Sequence, residues 1–327
     1  MSPTADEVQG EAGESEVAYF EADTRMYRSQ YWTTDPAELL GVLSDHAAQG
    51  RKLMTGVGGE QRRTLAVALA ESLVLAGRVR LLGLQDPSGA DVDFREARES
   101  AELGGDPQLA AAAVGHAALV PGWPGAVAAT DVLTEARALA SRGTPNDHLN
   151  AWLDLIEAER VARAGENARA LHLVDGAEAV LHAADVATAP AWLDWFTPAL
   201  LGVFKGRIQL QAGLTAQARR TLLYAMTHLS TEDHGQRSMV YLGLAAIEAA
   251  EGEEYEACGY ACRSLEHIEV GGDVMGLRSL LDEYLHDPCV QDLYENLPLS
   301  PSDPVPPSDI TQLTRRTSST RRTPGIR

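Results

Sequence analysis

The sequence predicts an all-α fold, a superhelix of stacked helical hairpins. Three observations predict it. First, one local pattern recurs: a helical run meets a Gly, four residues follow, and an Ala opens or continues the next alanine-rich run. The pairs are Gly165 with Ala170, Gly213 with Ala218, and Gly252 with Ala257. Glycine tolerates the positive φ of a tight corner, and alanine in the following turn lets two backbones approach. Second, apolar residues recur at helical spacing, as in the stripe Leu65, Leu69, Leu73 and Ala76. Third, no segment shows a long Val/Ile/Thr alternation, so sheet content is expected to be close to zero.

The elements follow in order. Residues 1–16 are acidic and rich in small residues and are expected to be disordered. A helix is expected from near Val17, carrying Tyr19, Phe20, Met26 and Tyr27. Tyr31 and Trp32 then precede the next helix, as a cap on the end of the superhelix or a dimer contact. Asp35-Pro36 reads as N-cap and first helical position, opening a helix to about Gln49. Glu60 to about Leu84 reads helical, and Asp86-Pro87-Ser88-Gly89 as a turn. Helices are expected at about 91–102, at QLAAAAVGHAAL before Pro121, and at about 124–140. From His148 the pairing is regular: 148–164 with 167–183, 190–212 with 215–229, and 234–251 with 253–269. A last helix is expected over about 274–296. Residues 298–327 are Pro-rich and then basic, with Arg315, Arg316, Arg321 and Arg322, and read as a disordered tail.

One such hairpin has too little core to stand alone, and its neighbours supply the rest. The helical-repeat domain is therefore expected to occupy residues 17–297. Its corner glycines lie further apart than the roughly 34-residue period of the tetratricopeptide repeat. The fold expected is thus a right-handed superhelix of degenerate tetratricopeptide-like helical hairpins.

Composition narrows the function. With 27 Lys+Arg against 47 Asp+Glu the formal net charge is -20, a field that repels nucleic acid and anionic lipid. Direct nucleic-acid binding is therefore disfavoured, the basic tail being its one candidate route. The N-terminus has no basic stretch followed by an apolar run, and no apolar stretch approaches a membrane span. The three cysteines are too few and odd in number for a disulfide scaffold. A cytoplasmic protein without membrane attachment is expected.

No motif for phosphate cradling, dinucleotide binding, zinc proteolysis or a nucleophilic serine is present. The histidines are scattered, without a nucleophile, base and orienting group that belong together. Cys258 and Cys262 share a helix face four residues apart, with His267 beyond, but nothing completes a ligand set. They read as small buried packing residues. No enzyme activity, cofactor or metal is expected.

The aromatic residues carry the site prediction. Only 6 % of the chain is aromatic, yet Trp152, Trp192, Trp195, Phe196 and Phe204 cluster. Trp192 and Phe196 are expected four apart on one helix face, and Trp152 on the first helix of the preceding hairpin. First helices of successive hairpins line the concave side of such a superhelix. A groove is therefore expected at Trp152, Trp192, Trp195 and Phe196, with His116 and Arg207 as weaker members and Asp154, Glu157 and Asp194 as an acidic rim. Filling of gaps between mismatched repeats is the competing role for these rings.

The order and texture of PAELLGVLSDHAAQGRKLM, EQRRTLAVALAESLVLAGRVRLLGL, WLDLIEAERVARAGENARALHLVDGAEAVL and LRSLLDEYLHDPCVQDLYENL give a further expectation. Over roughly residues 20–297 the chain resembles the C-terminal tetratricopeptide-repeat-like sensor region of actinobacterial helix-turn-helix transcriptional regulators. In that family an N-terminal DNA-binding domain precedes repeats that sense a peptide or small molecule or mediate self-association. This chain is expected to lack the DNA-binding part. The resemblance implies a non-enzymatic regulatory interaction module that binds a peptide, a protein segment or a small molecule, linked to transcriptional regulation. A homodimer is compatible with it. The alternatives are a structural or oligomerisation scaffold without soluble ligand, and a DNA-associated regulator acting through a partner or the basic tail.

Overall fold

The computed structural model describes residues 5–120, 125–185 and 188–267. Among them the fold is all-α. Its twelve α-helices are α1 (Ala5–Ser29), α2 (Pro36–Leu53), α3 (Gly59–Arg78), α4 (Pro87–Gly104), α5 (Pro107–Ala117), α6 (Gly125–Ala140), α7 (Asp147–Arg163), α8 (Asn167–Ala183), α9 (Pro198–Gln211), α10 (Thr215–Thr227), α11 (His234–Glu251) and α12 (Glu254–Glu266). A π-helical turn, Val79–Gly83, extends α3, and a 3-10 turn, Ala191–Leu193, lies before α9.

The helix ends have local causes. Asp35 Oδ1 accepts from the backbone N–H of Ala37 and Glu38 at 2.9 and 3.0 Å, with Pro36 at the first helical position. Asp106 repeats the device with Pro107, and Thr197 with Pro198. At the other ends, Gly165, Gly213 and Gly252 have φ of +83°, +76° and +82°. The residue after each glycine donates its N–H to the carbonyl five residues back: Glu166 to Val161, Leu214 to Gln209, Glu253 to Glu248. That bond closes the helix end and turns the chain. Gly105, at φ +79°, makes a fourth corner of the same kind, with Asp106 donating to Ala101. The alanines five residues after the four glycines, Ala110, Ala170, Ala218 and Ala257, are all buried.

Helices pack in two ways. Consecutive helices pack as hairpins, as in α3 with α4, α7 with α8, α9 with α10 and α11 with α12. The odd-numbered helices also pack on each other, α1 on α3, α3 on α5, α5 on α7, α7 on α9 and α9 on α11. They form a continuous row. Within it α3 is buried without a break from Ser72 to Val79, and α7 buries Leu149, Trp152, Leu153, Leu155 and Ile156. The even helices α8, α10 and α12 bury only a narrow stripe each, Ala170, Val174, Ala177 and Leu181 on α8. An amphipathic helix of that kind is an outer layer.

The structure departs from the sequence expectations in five places. The first helix begins at Ala5, not near Val17, so the acidic segment expected to be disordered is helical from Ala5. Alanine and glutamate are strong helix formers, and carboxylates in the N-terminal half favour the helix dipole. Helix α7 begins at Asp147, one residue before the expected start at His148, and is capped by Asn146, which accepts from Leu149 N–H at 2.9 Å. The helix expected over 190–212 is two elements, because Thr197 and Pro198 start α9 afresh. Trp192 therefore sits on the 3-10 turn and Phe196 in the connection after it, and they do not share a helix face. Cys262 is exposed and Cys258 half-buried, since Ala257, Ala261 and Ser264 take the inward face of α12. Cys289, the helix expected over 274–296 and the basic tail lie outside the described residues.

Candidate ligand cavity

The row of odd helices lines a cavity of about 330 Å³ that is partly open to solvent. Leu81 and Leu82 of the π-helical turn, with Arg78 before them, form one wall. His116 of α5 and Trp152, Leu155, Ile156 and Arg163 of α7 form the next. Trp195, then Leu200, Phe204 and Arg207 of α9, and Met239 of α11 complete it. Tyr31 and Trp32, from the α1–α2 connection, cover one end. Such a volume lies at the lower end of the range typical of small-molecule sites.

The rings form a chain. Phe94 stacks on His116 at 5.4 Å between centroids, His116 lies 4.5 Å from Trp152, and Trp152 meets Trp195 edge-on at 5.5 Å. Trp195 Nε1 donates to the carbonyl of Trp192 at 3.0 Å, which sets the ring's angle. Gly115 makes the approach of α7 possible. A Cβ there would stand 2.6 Å from Trp152 Cζ3, closer than real contacts allow. Gly115→Ala is therefore expected to push Trp152 off α5 and to cost about 1–3 kcal/mol by overpacking. Chemical denaturation read by tryptophan emission checks this; an unchanged midpoint and spectrum would mean the two helices do not meet as described.

His116 is fixed in one state. Its Nδ1 lies 2.8 Å from the Ala112 carbonyl. A carbonyl only accepts, so Nδ1 carries the proton and Nε2 is left as an acceptor. Burial, and then the nearby Arg78 charge, push its pKa down to about 3, against the favourable Ala112 bond. The imidazole is thus neutral and does not serve as a proton donor of ordinary strength.

Arg78 is the unusual group. It is 3 % exposed, yet its guanidinium lies 4.1 Å from the Tyr31 ring centroid and 4.0 Å from that of Trp195. The rings contribute cation–π attraction. Nε has no hydrogen-bond partner, and among the described residues no carboxylate reaches ion-pair distance. Burial disfavours its charged form, while the fields of Tyr31 and Asp194 oppose that. Asp194 is held by Arg28 at 2.8 Å, and Glu71 is held by the same Arg28.

Of the residues expected at the groove, Trp152, Trp195, His116 and Arg207 line this cavity. Trp192 lies behind the Trp195 wall, beside Arg28, Glu71 and Arg78, and Phe196 packs in the core. The expected acidic rim is not there: Asp154 and Glu157 bind Arg137 at 2.7 and 2.9 Å on another face, and Asp194 binds Arg28. Sequence reasoning missed Arg78 and Arg163. The signal for Arg78 was a pair of arginines, Arg78 and Arg80, inside the apolar run LVLAGRVRLLGL, of which Arg80 pairs with Asp86 and Asp93. A second, smaller groove at Leu133, Arg137, Glu157, Arg160 and Arg169 has charges that largely pair with one another.

No family model, curated protein or solved structure matches this chain. The reading of the cavity therefore rests on its own geometry. Among the described residues no group of three or more His, Cys, Asp and Glu is placed to hold a metal ion, and no helix is long and apolar enough to cross a membrane.

Proposed function

We propose that this chain is a tetratricopeptide-like sensor and interaction module that holds a small ligand inside the row of odd helices and performs no chemistry on it. The observation that carries the reading is the cavity of about 330 Å³ walled by rings from five separate segments. A pocket of that size with rings and leucines in its wall leaves apolar surface in contact with water, which an occupant would cover. Two local conformations beside it support a binding role. The π-helical turn Val79–Gly83 ends the run of α3, and Gln85, also at the wall, has φ +53°. Such departures recur at ligand sites, where surrounding contacts hold them. Hairpin pairing with first helices on the inside is the arrangement expected of tetratricopeptide-like repeats.

In this reading ligand binding stiffens the α3–α5–α7–α9 row and so alters the surface offered to a protein partner. The link to transcriptional regulation in the cytoplasm, through such a partner or a second copy of the chain, follows from the family resemblance. The test is native mass spectrometry of the full chain isolated under non-denaturing conditions. A stoichiometric low-mass passenger that leaves on unfolding, and that Gly115→Ala retains poorly, supports the proposal. A passenger-free chain that forms a defined oligomer, with tryptophan emission insensitive to a metabolite extract, would favour a scaffold without soluble ligand.

A further inference from the structure

The polar groups at the cavity wall are of one sign. Three arginines line it, Arg78, Arg163 and Arg207, and among the described residues no aspartate or glutamate does. This is the reverse of the chain as a whole, with its net charge of -20. Elsewhere among the described residues several arginines are held by carboxylates, as Arg137 by Asp154 and Glu157, Arg219 by Glu248 and Glu251, and Arg51 by Glu96, although Arg237 also has a buried Nε without a partner. At the cavity the pattern fails. Among the described residues Arg207 makes no ion pair and has the Phe204 ring at 5.9 Å, and Arg163 meets Glu159 at 3.6 Å, a long contact on an exposed side chain. Arg78 has rings against it and an unpartnered Nε.

A buried cation without a counter-charge is costly, and in most folds an anion accompanies it. We propose that the anion is the ligand: the cavity takes an organic monoanion, one carboxylate on an apolar or aromatic body, with Arg78 as its receptor. The inference rests on the cavity being the binding site. The guanidinium lies against the faces of Tyr31 and Trp195 and makes a side-chain hydrogen bond with Tyr31, so Nε and the N–H donors not used by Tyr31, all in the guanidinium plane, are the groups left for a ligand. A carboxylate matches that fork with two parallel hydrogen bonds. A phosphate fits less well. It brings a second charge and more acceptors, while the rest of the wall is leucines, Ile156, Met239 and aromatic rings. Arg163 and Arg207 complement the charge, and His116 Nε2 accepts a hydroxyl or N–H from the ligand body. The size of the cavity suits a ten-carbon acid or an indole or phenyl alkanoate.

The test is isothermal titration of the full chain, with tryptophan emission alongside, against matched pairs: 4-phenylbutyrate, indole-3-butyrate and decanoate, each beside its neutral amide. At least one acid is expected to bind about ten-fold or more tightly than its amide, the range of charge-assisted hydrogen bonds. Arg78→Met keeps the stem's volume and is expected to bring acid and amide level, with a denaturation midpoint no lower than that of the unmodified chain. Should that variant fold poorly, Arg78→Lys keeps the charge without the fork and is expected to lose most of the preference. Arg207→Gln should reduce it a few-fold. Equal binding of acids and amides would overturn the carboxylate inference and leave the cavity as a binding site. A preference that survives both changes at Arg78, or no binding of any acid, would also overturn it. Free and C-amidated leucyl-phenylalanine form the last arm. Binding of the free dipeptide beyond all three acids places the carboxylate on a peptide terminus; the reverse order places it on a small acid.

Discussion

Trp152→Ala is expected to lower the stability of the chain by about 3–5 kcal/mol, the range for deleting a large buried aromatic. Trp152 is 2 % exposed, rests on Gly115 of α5 and meets Trp195 edge-on. It also forms part of the cavity wall, so the vacated space would join a void already about 330 Å³ in size. Collapse of the surroundings cannot recover much, because α5 and α7 are held at either side by their own hairpin partners. The measurement is urea denaturation followed by helical circular dichroism. A loss under 1 kcal/mol would show that Trp152 contributes ligand contact alone and that the inner row does not depend on it.

The second large effect is in acid. Unfolded, His116 titrates near 6.5; folded, it stays neutral down to a pH of about 3. Between those values the unfolded chain binds a proton that the native chain does not. Stability therefore falls as pH falls, by about 1.4 kcal/mol per unit from this one group, and levels off below about 3. From pH 6.5 to 4.5 the loss amounts to about 2.3 kcal/mol, because the unfolded imidazole is already half protonated at the upper value. His116→Asn keeps a donor to the Ala112 carbonyl and removes the titration. The difference in unfolding free energy between the two proteins should shift by that amount across the two pH values. His46 and His267, whose pKa values are also lowered by burial first, and Glu71 and Asp93, whose values burial raises, occur in both proteins and largely cancel. A difference that stays flat with pH would mean His116 is not buried as described.

The corners were legible because their cause is local. Gly165, Gly213 and Gly252 adopt positive φ for reasons contained within six residues, and α8 and α11 have the bounds expected for them. Gly105 obeys the same rule, with Ala110 five residues on, and is a fourth corner beyond the three glycine–alanine pairs of the sequence pattern. Thr197-Pro198 is the same kind of start signal as Asp35-Pro36, and overlooking it put Trp192 and Phe196 on one helix face. The site was half legible. Aromatic residues in a chain poor in them pointed to Trp152 and Trp195, while the charge of the wall was expected with the wrong sign.

That error shows where local reasoning ends. Helical content, the glycine corners, the capped starts and the acidic surface were determined by the sequence by itself, because each depends on neighbours within a turn or two. The meeting of Tyr31, Arg78, His116, Trp152 and Trp195 around one cavity was decided only by the tertiary structure. Their helices are far apart along the chain, and helical periodicity says which face is apolar without saying which helix lies inside. The same packing sets the charge of the wall. It brings Arg28 to Glu71 and Asp194, and Arg137 to Asp154 and Glu157, and leaves Arg78 among rings with no carboxylate at ion-pair distance among the described residues.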